Sequence, residues 1–547
     1  MSKARSQTDP MTRSRAPGRA ASAGPTAAAA DELVAEVCPA LSQVPAAEWD
    51  RLLEPDDRPL LSWAYLQGLE ETGCVGESTG WLPAHILVRR RSAGPPEAGG
   101  DGAAGELVAA APVYVKAHSE AEWVYDYDWA EFAAGHGIAY YPKLVAAVPF
   151  NPVTGGRLLA RTDLAPAERQ ALRRLLLEAM KKLCQRAGLS SAHVLFPRGA
   201  GFRRGQPEPA PESQPEAAPE SQPEPAPESQ PEPATEPAIE SAIESATEPA
   251  LETDVMAAAG FVLRRQEQYH FLNEGYRDFE GFLARMSAHR RSTIRRERRA
   301  LREAGITVRT HRGLAPAPAP SSAEPGAAAD GSQAAPEAAP PFTRAELDQV
   351  FDLYVGTSQR YTGEAPFLSR AFFHLCADRL GDRLELVLAR DRDGRLVGGA
   401  FNLRGDRRVF GRYWGAAEPI PFLHFEVCFY HPVERTIREG LDAFEPGHGG
   451  EQKLVRGFTP VYTYSAHYLR DARLRRAITA FLRYEDPLVE RSLAQAATRC
   501  PIRKPPAGPS AGPSAGPGAG PGAGPGAGPG AGPGVEAAAD PQKPARR

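Results

Sequence analysis

The sequence predicts an α/β (α+β) fold in two halves, mixed sheets flanked by helices, and three observations carry that reading. A strand, a glycine-bearing turn, a long helix and a second strand follow one another across Lys143 to Phe196, and the same order returns across Arg408 to Glu445. Apolar runs of strand length alternate with helix-period stretches on both sides of a proline-rich interruption. Finally, 547 residues exceed what one hydrophobic core organises, so two domains joined by linkers are expected.

In chain order, residues 1–30 read as a disordered tail. They are rich in Arg, Ser and Ala, but Pro10, Pro17, Gly18 and Pro25 break any amphipathic targeting helix. The first domain is expected over 31–265. Asp31 to Gly73 reads as largely helical, with Pro45 opening one helix and Ser62 capping the next. His85 to Arg91 and Leu107 to Lys116 read as antiparallel strands around a Gly/Pro-rich gap. Lys143 to Phe150 is a strand, Asn151 to Arg157 a turn, Pro166 to Ala187 a helix and Ser191 to Phe196 a strand.

Residues 206–254 repeat QPEPAPES-like units with Glu at every fourth position and neither Lys nor Arg. Frequent proline and the absence of large apolar groups exclude helix and core, so this reads as an extended, self-repelling insertion without chemistry, folding resuming near Val255. The second domain is expected over 266–502, interrupted by an Ala/Pro linker at 313–341. It holds a helix pair from Tyr276 to Gly305, two helices from Phe342 to Leu380, a three-stranded meander turning at the Asp-Gly step of Asp391 to Gly394, and a closing helix from Arg470. Residues 503–547 are an AGPS/AGPG tail too flexible to fold.

The net charge of -4 conceals an uneven distribution. The insertion alone carries thirteen carboxylates, so the remainder is +9, and the two tails hold +7 of that. No global basic field recruits nucleic acid; a basic site must be local. One is visible: Arg285, Arg290, Arg291, Arg295, Arg296, Arg298, Arg299 and Arg302 face only Glu297 and Glu303, a helix surface that must meet water, acidic protein or phosphate. Six scattered cysteines show neither CxxC pairing nor zinc spacing, so reduced thiols, a cytoplasmic location and no metal are expected. No apolar run has the length of a membrane span.

Candidate site residues concentrate between Arg408 and Tyr468. Tyr413, Trp414, His424, Glu426, His448, Glu451, Lys453, Arg456, Tyr464 and His467 lie at element ends there. Tyr127 and Trp129 form an aromatic and acidic patch earlier in the chain, read equally as a core rim or a ligand wall.

The strings YWGAAEPIPFLHFEVCFYHPVERTIREGL and FEPGHGGEQKLVRGFTPVYTYSAHY, together with VYDYDWA, YYPKLVAAVPFNPVTGGRLL and SAHRRSTIRRERRALREAGI, resemble the FemAB-like predicted N-acyltransferases of the GNAT superfamily. The resemblance covers roughly residues 45–200 and 256–490. It implies two tandem GNAT-like acyltransferase domains and transfer of an acyl or aminoacyl group to a small-molecule or peptide amine. Where the family loop reads Glu-His-Lys, this chain has Glu451-Gln452-Lys453, so no imidazole stands at 452.

Acyl transfer needs an activated donor, a neutral amine and support for an oxyanion. Glu451 or His424 is expected as base, Lys453 or Arg456 as electrostatic support and Tyr464 as proton donor to the leaving group. Thr154, Gly155, Gly156 and Arg157, with Arg291 and Arg295, are expected to bind donor phosphate. Tyr413, Trp414, Glu426, His448, Arg456, His467, Tyr127 and Trp129 are expected to line the cleft. Neither the Thr154–Arg157 turn nor the proline-bounded Pro419–Leu423 turn, the other place that could cradle a phosphate, matches the Arg/Gln-x-x-Gly-x-Gly loop that holds coenzyme A in GNAT enzymes. The donor is therefore acyl-CoA or aminoacyl-tRNA, no cofactor being tightly bound, with tRNA as a partner of the arginine helix. The rival reading is a non-catalytic GNAT-fold module that binds nucleic acid or another anionic partner through residues 285–302; a degenerate scaffold serving assembly is a third.

Overall fold

The computed structural model describes residues 32–91, 105–199, 251–316, 339–363 and 365–503. The expected tail at 1–30, all but the first residue of the tail expected at 503–547, and most of the expected insertion and linker lie outside the described residues. The first half contains β1 (Glu32–Cys38), α1 (Ala46–Asp50), α2 (Trp63–Glu71), β2 (Trp81–Pro83), β3 (His85–Arg91), β4 (Glu106–Ala111) and β5 (Val113–Lys116). It continues through α3 (Tyr127–Gly135), β6 (Lys143–Ala146), β7 (Leu159–Ala160), α4 (Pro166–Arg186), β8 (Ser191–Leu195), α5 (Glu252–Ala258) and β9 (Val262–Leu272). The second half contains α6 (Phe279–Ala284), α7 (Ala288–Glu303), β10 (Thr307–Arg312), α8 (Arg344–Thr362), α9 (Arg370–Leu380), β11 (Leu384–Arg390), β12 (Leu396–Arg404) and β13 (Arg408–Ala416). A composite helix α10 (Leu423–Phe425, Glu426–Tyr430 and His431–Arg438) follows, then β14 (Ala443–Glu445), α11 (Glu451–Leu454), β15 (Thr459–Leu469) and α12 (Ala472–Arg499).

Two departures from the sequence reading have local causes. Asp31 to Gly73 is not largely helical, because Glu32–Cys38 pairs antiparallel along the whole of β3 as an edge strand. Ser62 does cap α2, its side chain accepting from the Tyr65 amide. Ordered chain also begins before Val255: Glu252 is the first residue of α5 and is 3% exposed. Its carboxylate accepts from the Arg157 and Leu158 amides at 3.1 Å each. Glu252 therefore belongs to the fold and not to the acidic insertion.

Four strands form a small sheet in the order β1-β3-β4-β7, and eleven form the main sheet in the order β10-β11-β12-β13-β14-β9-β15-β8-β6-β5-β2. The repeated unit lies at two places in the main sheet. β6 runs parallel to β8 across α4, and β13 runs parallel to β14 across α10. Beyond each parallel pair the next strand comes from the other half. β15 adds to β8 (His467 opposite His193), and β9 adds to β14 (Phe271 opposite Phe444). β9 and β15 pair with each other in between, from Thr459 opposite His270 to His467 opposite Val262. The division expected between 265 and 266 thus cuts a strand.

Helices join the halves as well. α2 lies on α9, Tyr65 meeting Phe372 edge-on at 5.3 Å, and a Cβ at Gly68 would stand 2.5 Å from the Leu375 side chain. On the second half α8 approaches β13 so closely that a Cβ at Gly415 would come 2.0 Å from the Leu353 carbonyl oxygen.

Candidate active site

The site begins with a register slip. β12 and β13 pair regularly until Phe401 opposite Tyr413; the next pair is Asn402 opposite Gly411, so Arg412 is an extra residue bulged out of the ladder. A bulge turns the strand and re-aims its side chains. β13 and β14 pair only from Arg408 opposite Ala443 to Phe410 opposite Glu445, and then separate. Arg412 sits in that opening. It donates one Nη1 bond to Gly411 O at 2.7 Å and one to Glu445 O at 3.1 Å, while its Nε and Nη2 are buried without a protein partner.

After β14 the chain turns through Gly447, Gly449 and Gly450, whose φ values of 92°, 80° and 101° suit glycine alone. It enters α11, a single helical turn. Glu451 and Lys453, two apart in this helical turn, point in different directions. Glu451 is exposed and meets Arg499 at 3.6 Å, away from the opening. Lys453 is 5% exposed and turns inward, Nζ donating to Gly447 O at 2.6 Å and His448 O at 3.1 Å. Burial, reinforced by the Arg412 charge, pulls its pKa down to about 7.

The first half supplies the facing wall. His448 lies 5.8 Å from the Trp123 ring and 5.3 Å from the Tyr125 ring. Trp123, Tyr125 and Phe150 all have left-handed backbones, φ 63°, 47° and 62°. For bulky residues that conformation costs about 1–3 kcal/mol each, and such strain gathers where structure serves function. Beside Phe150, Asn151 donates to the Tyr65 hydroxyl at 2.7 Å, and Tyr65, Tyr413 and Arg412 are electrostatic neighbours. Asn151 Oδ1, His448 Nδ1, Trp123 Nε1, His270 Nδ1 and Glu445 Oε2 are likewise buried without protein hydrogen-bond partners. Each such atom in a finished core would cost about 1–3 kcal/mol, so their convergence marks a seam built to meet something polar.

Of the residues expected to line the cleft, Tyr413 and His448 join Lys453 here. Arg412, Trp123, Asn151 and Tyr65 were not singled out from the sequence; the Arg412-Tyr413-Trp414 run and the VYDYDWA string beside Trp123 were the available signals. A family model, FemAB_like, described as peptidoglycan biosynthesis/recognition, matches residues 40–209, 238–319 and 331–504, well over half of the chain. The chain belongs to the FemAB-like family. By that membership it is an acyltransferase, with aminoacyl transfer the chemistry at family level.

The FemAB-like chain is similar to the solved structure of FemX, at 11% identity over 80% of this chain and 98% of that one, with a TM-score of 0.40. It is also similar to L-PGS from Bacillus licheniformis (10% identity, 78% and 96% covered, TM-score 0.36). A third is a tandem GNAT protein from the clavulanic acid biosynthesis pathway (12% identity, 80% and 98% covered, TM-score 0.34). No curated protein matches the sequence.

The FemAB-like chain carries a second concavity, about 300 Å³, where α8 meets the turn after β13. Trp414 and His424 form its floor with ring centroids 4.5 Å apart. Burial, with the Lys453 and Arg456 charges behind it, holds His424 at a pKa of about 4, a neutral imidazole at pH 7. The proline-bounded turn beside it is a poor anion cradle. Glu418 and the rings of Phe422 and Phe425 line it, Pro419 and Pro421 lack N–H groups, and the Leu423 amide already donates to Ile420 O.

The other expected residues serve the fold. Around Thr154–Arg157, carboxylates of the protein fill the place expected for phosphate: Gly156 N donates to Asp57 Oδ1 at 2.8 Å and Arg157 N to Glu252. Arg157 is fully buried, its guanidinium spent on the carbonyls of Leu195, Gly156 and Val153. His467 stands inside the sheet, Nδ1 at 2.6 Å from His193 Nδ1, with Trp129 edge-on at 4.8 Å and Arg264 stacked over that indole. Tyr127 is exposed. Tyr464 packs on Gly199, where a Cβ would fall 2.2 Å from its ring. Glu426 accepts from Arg298 at 2.9 Å, and Arg456 donates to Tyr430 Oη at 2.8 Å and reaches Glu297 at 3.2 Å. Arg295 pairs with Glu280, and Arg291 donates to the Met286 carbonyl at 2.6 Å.

Proposed function

We propose that the chain transfers an aminoacyl group from aminoacyl-tRNA to a primary amine, and that the reaction takes place in the seam between β13, the Gly447–Gly450 loop and the Trp123–Tyr125 segment. The observation that carries this reading is Lys453: a buried amine near neutrality, held by two carbonyls and electrostatically coupled to an arginine with two buried, unpartnered nitrogens.

In this scheme the acceptor nitrogen attacks the ester carbonyl carbon, and a C–N bond forms. Neutral Lys453 takes a proton from that nitrogen. Arg412 supports the oxyanion through Nε and Nη2, and the C–O bond to the ribose breaks as Lys453 returns the proton to the leaving oxygen. His448 and Tyr413 line the acceptor side. Gln452 takes no part as a base, since its side-chain oxygen accepts from Arg456 Nη1 at 2.7 Å. Glu451 is set aside as base because it is turned outward, and Tyr464 as proton donor because it is packed on Gly199.

An ester donor is favoured over a coenzyme A thioester because the turn after β13 offers a diphosphate few amides and a carboxylate neighbour. The outward arginines of α7, among them Arg296 and Arg299, are exposed for a nucleic-acid backbone. Charged tRNA as donor would set the reaction in the cytoplasm. None of the described helices is long and apolar enough to cross a membrane.

The test incubates the full-length protein with tRNA carrying labelled amino acids, or with labelled acyl-CoA, and an amine-bearing peptide. Labelled peptide from charged tRNA, reduced about 10²–10⁴-fold in Lys453→Met and Arg412→Gln, is the expected result. Transfer that survives both substitutions overturns the site; transfer from acyl-CoA alone overturns the donor.

A further inference from the structure

We propose a separate binding site for a small diphosphate-bearing molecule in the groove between α7, β10 and α10, on the second half. This groove of about 400 Å³ is lined by four arginines from three elements. Arg298 is satisfied: it donates to Glu426 at 2.9 Å and to Glu434 at 2.7 Å. Arg302, Arg309 and Arg438 are exposed, and none has a carboxylate partner within 4.0 Å among the described residues.

Helix polarity accounts for part of this. Arg302 and Arg438 each lie in the last turn of a helix, where a cation opposes the negative end of the dipole. It does not account for Arg309, which is on a strand, nor for three uncompensated guanidinium groups opening on one concavity. Four positive charges against two carboxylates leave the groove at +2, matching a diphosphate better than a single carboxylate. Leu301, Ile306 and Val308 provide an apolar wall for the remainder of such a ligand. The groove draws on none of Lys453, Arg412 or His448, so the proposal does not depend on the transfer chemistry.

Inorganic pyrophosphate is the probe, titrated calorimetrically into the full-length protein at low salt. One saturable site is expected, weakened about tenfold by Arg309→Gln and by Arg438→Gln, since a charge-assisted hydrogen bond contributes about that much. Arg295→Gln and Arg296→Gln, on the same helix but outside the groove, are expected to leave it unchanged. Equal weakening by both pairs, or no binding by wild-type protein, would overturn the site. A short RNA duplex that displaces pyrophosphate would reassign the groove to a nucleic-acid backbone, overturning the small-molecule reading; failure to displace it supports that reading.

Discussion

Lys453 is where one residue decides most. An ammonium this deeply buried is disfavoured by desolvation and by Arg412, so the folded protein prefers the neutral amine. The unfolded chain, with the ordinary lysine value, binds more protons between about pH 7 and pH 10, and stability contributed by this group therefore rises with pH across that window. At pH 7 most of the penalty is present. Lys453→Met removes it, but also removes the two bonds to Gly447 O and His448 O, and the balance is a gain of about 1–3 kcal/mol. Urea unfolding at pH 7 checks it: a higher midpoint together with lost transferase activity is the expected pair. As the base, Lys453 works only when unprotonated, so kcat should climb through about pH 7 and level off above it. A flat profile from pH 6 to pH 8 would remove Lys453 from the role.

At the scale of elements, the turn at Asn151–Arg157 and α5 depend on one another across a long stretch of sequence. Glu252 is the acceptor for two consecutive buried amides, and it lies at the end of what composition alone reads as a featureless acidic repeat. Glu252→Ala strands both amides and is expected to cost about 2–4 kcal/mol in urea unfolding, while Glu252→Gln, keeping one neutral acceptor, costs roughly half. A variant as stable as wild type would mean that the amides find other acceptors. The same contrast shows what was legible beforehand. Periodicity located α4, α8, α9 and the β11–β13 meander, and Ser62 located α2, because these signals are local: apolar spacing, the Ser62 N-cap and the Asp391–Gly394 turn. The long helix expected between Arg408 and Glu445 came out as α10, Leu423–Phe425 and His431–Arg438 around a wider π turn at Glu426–Tyr430. Pro432 explains the widening, since it has no N–H for the fourth carbonyl back. The bulge at Arg412 and the left-handed Trp123 and Tyr125 left no local trace. Each is imposed by tertiary contacts, so the VYDYDWA string pointed to the neighbourhood of the seam's first-half wall but not to Trp123 itself.

The strand order of the main sheet determines how the whole molecule folds. Were the halves independent, β9 would close the first beside β8 and β15 the second beside β14; instead each closes the other. β9 and β15 also pair with each other from Val262 to His270, so eleven strands form one continuous hydrogen-bonded surface, and α2 packed on α9 ties the layer above it. A fragment ending at Leu272 would carry β9 without either of its neighbours and leave β8 with an open edge. A fragment starting at Asn273 would lack the strand between β14 and β15. Unpaired central strands expose apolar side chains and backbone donors together, the combination that aggregates. Each fragment alone is therefore expected to be unfolded or insoluble. Coexpressed, the two should recover a soluble complex with a single cooperative thermal transition and the transferase activity of the intact chain. The seam bearing Lys453 on one side and Trp123 on the other exists only when both are present. A first-half fragment that folds cooperatively by itself, with protected β8 amides in hydrogen exchange, would contradict the exchange of β9 and β15.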